Sequence, residues 1–130
     1  MKLDPGAGLI TVEVEIFRRA KSRVVRMALD TGATYLMVPW HVLEVLRYSP
    51  ARVRQKISIT TASGIEIAPL LILDKVKVLG KTVPGVPAIC HDLPPQSPVD
   101  GLLGLSFLKW FDIDLHFRSG RLGLKGPSRR

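Results

Sequence analysis

Residues 27–33 read Met-Ala-Leu-Asp-Thr-Gly-Ala, so an apolar run ends at Asp30 and gives way to a turn. This run and the apolar residues 35–38 predict two strands joined by the turn. A carboxylate held so close to a core needs hydrogen bonds or a partner, because burial raises a carboxyl pKa. The amides of the turn and the Thr31 hydroxyl are candidate donors. Asp30 is therefore the first candidate for chemistry.

A second motif lies downstream, where residues 99–108 read Val-Asp-Gly-Leu-Leu-Gly-Leu-Ser-Phe-Leu. In it, Leu102 and Leu103 precede Gly104, and residues 105–111 predict one or two helical turns. Asp-Thr-Gly alone is a common tripeptide and would indicate only a turn between strands. The two motifs together are much more specific than either alone.

The chain between and around the motifs predicts short strands. Residues 9–17 alternate apolar and polar side chains, as a half-buried strand does, and residues 23–29 form a hairpin with them that leads to Asp30. Two strand-like runs, Ile57-Ser58-Ile59-Thr60 and Ile65-Glu66-Ile67, flank Ala62-Ser63-Gly64, where glycine offers the positive φ of a tight turn. A protruding hairpin is expected there.

Other segments predict a short helix at residues 40–47, after Pro39, and strands at 75–78 and 82–89. Pro84 and Pro87 favour an edge or a bend for the last of these strands. A stiff proline-rich loop is expected at residues 91–98, and a closing hairpin at residues 112–124.

Composition indicates one globular domain. The 130 residues, 46% hydrophobic and 23% charged, suffice for one core but not for two. We expect one domain over residues 1–130, with its core at about 9–125 and a basic tail at 126–130. The net charge of +8 favours acidic surfaces, but the basic residues cluster in predicted turns and ends and no nucleic-acid-binding motif occurs. Nucleic acid is therefore not expected as a partner.

The lone cysteine, Cys90, has no internal partner, so folding does not require an oxidising compartment. No run approaches the roughly 20 apolar residues of a membrane span, and no signal peptide is evident at the start. A cytoplasmic protein without a membrane span is expected. Cys90, His91 and Asp92 resemble a metal-ligand cluster, but adjacent strand residues point to opposite faces, so neither a metal nor another cofactor is expected.

Remaining candidates receive packing or surface roles. Trp40 and Trp110 are expected to fill the core, with Trp110 alternatively bordering an interface. Ser63 and Ser106 lack the histidine and aspartate that activate a serine nucleophile.

Taken together, the apolar-Asp30-Thr31-Gly32-Ala33 turn, the hairpin tipped by Ala62-Ser63-Gly64 and the Leu102-Leu103-Gly104 segment resemble a retropepsin-type aspartic protease. The resemblance covers residues 9–124. It implies an all-β acid-protease subunit with a closed, barrel-like sheet, a flap hairpin and one or two short helices.

The resemblance also implies roles for these residues. Asp30 would be the catalytic aspartate, and its active-site loop would comprise Thr31, which braces the paired loops, Gly32, which keeps the turn open, and Ala33. The flap, which would pair with the main chain of a peptide or protein substrate, would comprise Thr61, Ala62, Ser63 and Gly64. Structural support beneath the catalytic loop would come from Leu102, Leu103 and Gly104.

This chemistry uses two aspartates that share one proton, whereas the chain has one Asp-Thr-Gly. The resemblance therefore implies a homodimeric endopeptidase, in which a second copy supplies the other aspartate. Two departures from retroviral enzymes are Thr34-Tyr35 in place of acidic residues and Leu105 in place of an arginine that braces the dimer. Substrate grip and dimer contacts are expected to differ, with residues 112–125 as a candidate part of the interface.

Two other functions compete with the protease. One is a retropepsin-like domain that dimerises or binds peptides without cutting them, since a fold does not guarantee an activity. The other is a basic nucleic-acid binder, whose affinity would fall steeply with added salt. The intact Asp30-Thr31-Gly32 favours the enzyme, because a binding module has no need of that carboxylate.

Overall fold

The computed structural model describes residues 1, 3, 8–61 and 63–130. Within them the chain forms mainly strands, with two short α-helices and a 3-10 turn at Pro50–Arg52. The elements in chain order are β1 (Thr11–Arg18), β2 (Lys21–Leu29), β3 (Leu36–Val38), α1 (Trp40–Val45), β4 (Lys56–Thr61), β5 (Gly64–Val78), β6 (Lys81–Cys90), β7 (Gly101–Leu103), α2 (Leu105–Leu108), β8 (Asp112–His116) and β9 (Arg121–Lys125).

Six strands close into a barrel. They follow the order β1-β2-β7-β3-β6-β5, and β5 pairs back with β1, while β4 extends the sheet from the first part of β5. The short strand β7 is inserted between β2 and β3; it runs parallel to β2 and antiparallel to β3. The predicted all-β fold with a closed barrel and two short helices is confirmed.

The alternation of apolar and polar side chains in β1 explains how the core of the barrel is filled. Val12, Val14 and Ile16 point inward and are buried, whereas the residues between them lie on the outer side. Phe107 of α2 and Leu43 of α1 are fully buried in the same core. Each such side chain contributes about 1.5 to 3 kcal/mol through its burial, so both helices are held onto the barrel.

The strand β5 corrects the prediction of separate strands in this part of the chain. It runs unbroken for 15 residues and changes partners on the way, from β4 to β6, with a further pairing to β1 near its end. Because the buried side changes with the partner, its apolar pattern loses the alternation that marks a single strand.

The strand β6 carries Pro84 and Pro87, which were predicted to favour an edge or a bend. It lies inside the sheet, but both prolines pair with β5 alone, and the register with β5 skips Asp74 and Gly85 next to Pro84. The two prolines are tolerated because β3 pairs only with residues 88–90 of β6, so the sheet does not need hydrogen bonds on both sides of the prolines.

A two-stranded hairpin, β8–β9, closes the chain as predicted, and Met1 pairs with Leu122 beside it. Trp110 does not fill the core, in contrast to the prediction. It is 40% exposed, and the guanidinium carbon of Arg129 lies 4.2 Å from the centre of its ring. Trp40 is half-buried and packs against the core. Across the described part of the chain, the helices are too short or too polar to cross a membrane.

Candidate active site

Asp30 stands at the end of β2, where the barrel meets solvent. Its amide donates to the carbonyl of Leu103 at 3.0 Å, which ties the start of the turn to β7. Its carboxylate Oδ1 accepts a hydrogen bond from the Gly32 amide at 2.9 Å, and its carbonyl accepts one from the Ala33 amide at 3.2 Å. The side chain is half-buried. The turn therefore fixes the carboxylate while leaving it accessible from one side.

Gly32 lies close to the carboxylate that it binds. A β-carbon at this position would lie 3.2 Å from the Asp30 Oδ1, tighter than most contacts of a real β-carbon. Thr31 is exposed, so in a single subunit its side chain is free to meet another molecule. The sequence predicted both residues as parts of an active-site loop, and the structure brings them together with Asp30 and Ala33.

The segment that follows β7 lies directly against this turn. The Leu105 amide donates to the Ala33 carbonyl at 2.8 Å, and the Ser106 amide donates to the Thr34 carbonyl at 2.9 Å. Leu103 is fully buried in the core, whereas Leu102 is half-buried and pairs with Met37 on the other face of the sheet. The Leu102-Leu103-Gly104 segment therefore lies where the sequence placed it, against the Asp30 turn.

Ser106 is a structural residue whose role the sequence did not reveal. Its buried hydroxyl donates to the Pro87 carbonyl at 2.7 Å and accepts from the Leu36 amide at 3.2 Å. One side chain thus joins α2, β3 and β6 just beyond the Asp30 turn. The only signal in the sequence is a serine beside two apolar residues, Phe107 and Leu108, at the start of a helix.

The hairpin predicted over residues 57–67 is present as β4 and the first part of β5. The Thr61 hydroxyl donates to the Gly64 carbonyl at 3.1 Å and accepts from the Ser63 amide at 3.2 Å, which closes the tip. Gly64 has a φ of 121°, a conformation that favours glycine, as the sequence indicated. Ala62, the remaining predicted residue of the tip, lies outside the described residues.

One face of this hairpin covers a small apolar cluster next to the Asp30 turn. We call the cluster the flap pocket and define it by its members Tyr35, Met37, Ile57, Ile59, Ala68, Leu70 and Ile89. Tyr35 and Met37 follow the Asp30 turn in the chain, Ile57 and Ile59 come from β4, and Leu70 and Ile89 form the buried base. A partly exposed apolar surface therefore lies between the hairpin and the residues that follow Asp30.

An imidazole–carboxylate contact and a buried thiol lie at the end of β6. His91 Nε2 lies 3.4 Å from Glu66 Oε2, linking β5 to the end of β6. Cys90, its neighbour in the chain, is buried, and burial, with the nearby Asp92 and Glu44 charges, raises its thiol pKa from 9.0 to about 12. Such a thiol is a poor metal ligand or nucleophile at neutral pH, because both roles need the thiolate. Cys90 is therefore a packing residue.

The arrangement offers the accessible carboxylate of Asp30, followed in the chain by residues that pack in an apolar cluster with the β-hairpin. A carboxylate of this kind can accept a proton from water, and the hairpin can offer main-chain groups to an extended peptide. Among residues 1, 3, 8–61 and 63–130 there is no group of three or more metal-ligating side chains. The geometry favours acid–base chemistry on a peptide.

Comparison with known proteins agrees with this geometry. Residues 10–107 match the model of a family described as aspartyl protease. The chain also resembles the crystal structure of a retropepsin-like aspartic protease from Rickettsia conorii. That match has a TM-score of 0.70 and 18% sequence identity, and it covers 95% of this chain and 85% of the other. At this identity the likeness shows a shared fold. No curated protein matches the sequence.

Proposed function

The chain belongs to the aspartyl protease family and has a retropepsin-like fold, and from that premise we propose that it is a homodimeric endopeptidase. Asp30 of each subunit would supply one of the two catalytic carboxylates. The observation that carries the proposal is the setting of Asp30, which is fixed by the amides of its own turn yet open on one side. A carboxylate with only a structural role would not need that open side.

A second copy completes the site in this proposal. Two carboxylates about 3 Å apart cannot both ionise easily, so the pair holds one proton and titrates as a unit. The ionised member would take a proton from a water molecule as that water attacks the peptide carbonyl. The protonated member would hydrogen-bond the carbonyl oxygen, and a proton would then pass to the leaving nitrogen.

Leu105 supports an interface on the same side of the subunit as Asp30. Its amide is bonded to Ala33 of the Asp30 turn, and its side chain is 40% exposed. An apolar contact between two such leucines would bring the two turns together, in place of the arginine that the resemblance led us to expect. The β8–β9 hairpin, with Leu115 and Phe117 exposed, would extend this interface.

The β4–β5 hairpin would act as the flap. Its tip, closed by Thr61, Ser63 and Gly64, projects from the barrel as the end of a two-stranded extension. An extended peptide lying between the tip and the Asp30 turn would pair with main-chain groups of the hairpin, which holds the scissile bond over the carboxylates. The apolar flap pocket would receive one substrate side chain.

The test compares cleavage of a mixed peptide library by the wild type and by Asp30→Asn, at matched and high protein concentration from acidic to neutral pH. We expect cleavage by the wild type that rises faster than linearly with enzyme concentration, and none by Asp30→Asn. Asp74→Asn is a matched control, because the Asp74 carboxylate also accepts a hydrogen bond from a backbone amide, that of Arg19 at 2.8 Å. Asp74 lies in β5, and Arg19 precedes the start of β2, whereas Asp30 follows its end.

Asn keeps an oxygen that accepts the Gly32 amide, so Asp30→Asn should remain folded. An Asp30→Asn protein that cuts at the wild-type rate would overturn the proposal. A folded, dimeric wild type that cuts nothing across the pH range would favour the second candidate, a domain that binds peptides without cutting them.

A further inference from the structure

The register of the β4–β5 hairpin decides which side chains face the flap pocket. Ile59 pairs with Glu66 and Ser58 pairs with Ile67, so odd-numbered residues of β4 share a face with even-numbered residues of β5. Ile57 and Ile59 therefore lie on the same face as Glu66, and Ile65 and Ile67 lie on the opposite face. The hairpin exposes Ile65 and Ile67, at 77% and 70%, and turns a carboxylate toward the pocket.

Glu66 sits at the rim of the pocket, with its side chain partly exposed. The partly buried members of the cluster offer an apolar surface, while Glu66, on the same face as Ile57 and Ile59, offers a hydrogen-bond acceptor and a negative charge beside it. His91, on the far side of Glu66, offsets this charge only when the imidazole is protonated. A side chain that lies against this surface thus meets apolar groups first and a carboxylate at the edge.

We propose that Glu66 determines specificity: the flap pocket takes a substrate side chain with an apolar stem and a cationic end, that is, lysine or arginine. The inference rests on the proposed function, because it assumes that a peptide lies under the hairpin. The stems of both side chains cover apolar surface while their charged ends reach outward, which matches the layout of the pocket. An ammonium or guanidinium group would then form a charge-assisted hydrogen bond with Glu66.

The charge of the whole protein makes such a preference easy to recognise. The net charge of +8 repels basic peptides at long range and does so whichever position of the peptide carries the basic residue. A preference for lysine that appears at one position alone must therefore come from a local acceptor. His91 predicts the direction of a second change, because removing its imidazole, which lies 3.4 Å from the Glu66 carboxylate, frees that carboxylate for the ligand and strengthens the preference.

The experiment measures peptide binding to the Asp30→Asn protein, which holds peptides without cutting them. A library of short peptides is scanned position by position with lysine or with methionine, which has a similar apolar stem and no charge. At one position we expect lysine to bind about fivefold more tightly than methionine. Adding Glu66→Gln should bring the ratio close to one, and adding His91→Gln should raise it. Adding Glu44→Gln, an exposed carboxylate on α1, should leave it unchanged.

Two outcomes overturn the inference: no position prefers lysine, or the preference survives Glu66→Gln. Cleavage by the wild type separates this result from the proposed function. A protein that binds the lysine peptides in a manner dependent on Glu66 but cuts none of them contradicts the protease and leaves the pocket as inferred. A protein that cuts peptides without any basic preference contradicts the pocket alone.

Discussion

A β-carbon placed on Gly104 would lie 2.6 Å from the carbonyl oxygen of Ala33 and would also overlap the Tyr35 carbonyl. The Ala33 carbonyl is the acceptor of the Leu105 amide, so it cannot move away without breaking that bond. Gly104 thus lets the end of β7 press against the residues that follow Asp30. The position of the Asp30 turn depends on the missing side chain.

Gly104→Ala should therefore destabilise the protein by about 3 kcal/mol, because the added methyl group forces the backbone of residues 33–35 to shift. The measurement is the free energy of unfolding in urea. Gly123→Ala in β9 is the control, since a β-carbon there meets nothing within 4 Å. Equal stability of the two variants would show that the turn can yield to the methyl group.

Ser106→Ala should cost about 2 to 4 kcal/mol, although it removes a single oxygen atom. The hydroxyl satisfies the Leu36 amide and the Pro87 carbonyl, and its loss leaves both groups without this partner inside the protein. Ser119→Ala, in the exposed turn between β8 and β9, should leave stability unchanged. Thermal unfolding of the two variants beside the wild type provides the measurement. A Ser106→Ala protein as stable as the wild type would mean that water replaces the hydroxyl.

The Asp30 turn could be predicted because its cause is local. An apolar strand that ends in Asp-Thr-Gly contains both the carboxylate and the glycine whose amide binds it. The supporting role of Gly104 was implied only by the family resemblance, because the carbonyls of Ala33 and Tyr35 that leave no room for a side chain lie far from it in the sequence. At Asp30 and Gly32 the contact lies within three residues of the chain, whereas Gly104 depends on a segment that only the fold brings near.

The residues that surround the Asp30 turn are set by strand pairings and long-range contacts that a local sequence pattern does not predict. The alternation of apolar and polar residues alone predicts that Ile65 and Ile67 face inward and Glu66 faces outward. The hairpin register pairs Ile59 with Glu66, however, so Glu66 lies on the same face as the half-buried Ile57 and Ile59. Ser106 meets Pro87 across 19 positions of sequence, and β5 changes its neighbours along its length. Trp110 is a large aromatic residue in a helical turn, yet it lies outside the barrel. These features follow from tertiary contacts.

The thiol of Cys90 should make the protein sensitive to alkali. Burial raises its pKa from 9.0 to about 12 in the folded state, so above pH 9.0 the unfolded chain loses a proton that the folded chain keeps. The free energy of unfolding should then be at its full value below pH 9.0 and fall as the pH rises toward about 12. The pKa of Tyr48, also raised by burial, adds to this fall at the upper end.

Urea unfolding at several pH values across that window measures the effect. Cys90→Ala should lower stability at every pH, because it leaves a small cavity, but it should flatten the dependence on pH. Tyr48 accounts for the slope that remains. Parallel curves for Cys90→Ala and the wild type would exclude the thiol as a source of the alkaline loss.

Leu105→Glu should weaken the proposed dimer. The side chain is exposed beside the Asp30 turn, and in a symmetric dimer two copies of the new carboxylate would be desolvated near each other and near the catalytic pair. We expect the dissociation constant, from sedimentation at several protein concentrations, to rise at least about tenfold. Activity per subunit should fall at low concentration and recover in part at high concentration. Val45→Glu, at a similarly exposed apolar position in α1, should change neither quantity, and an unaltered dissociation constant for Leu105→Glu would place the interface elsewhere.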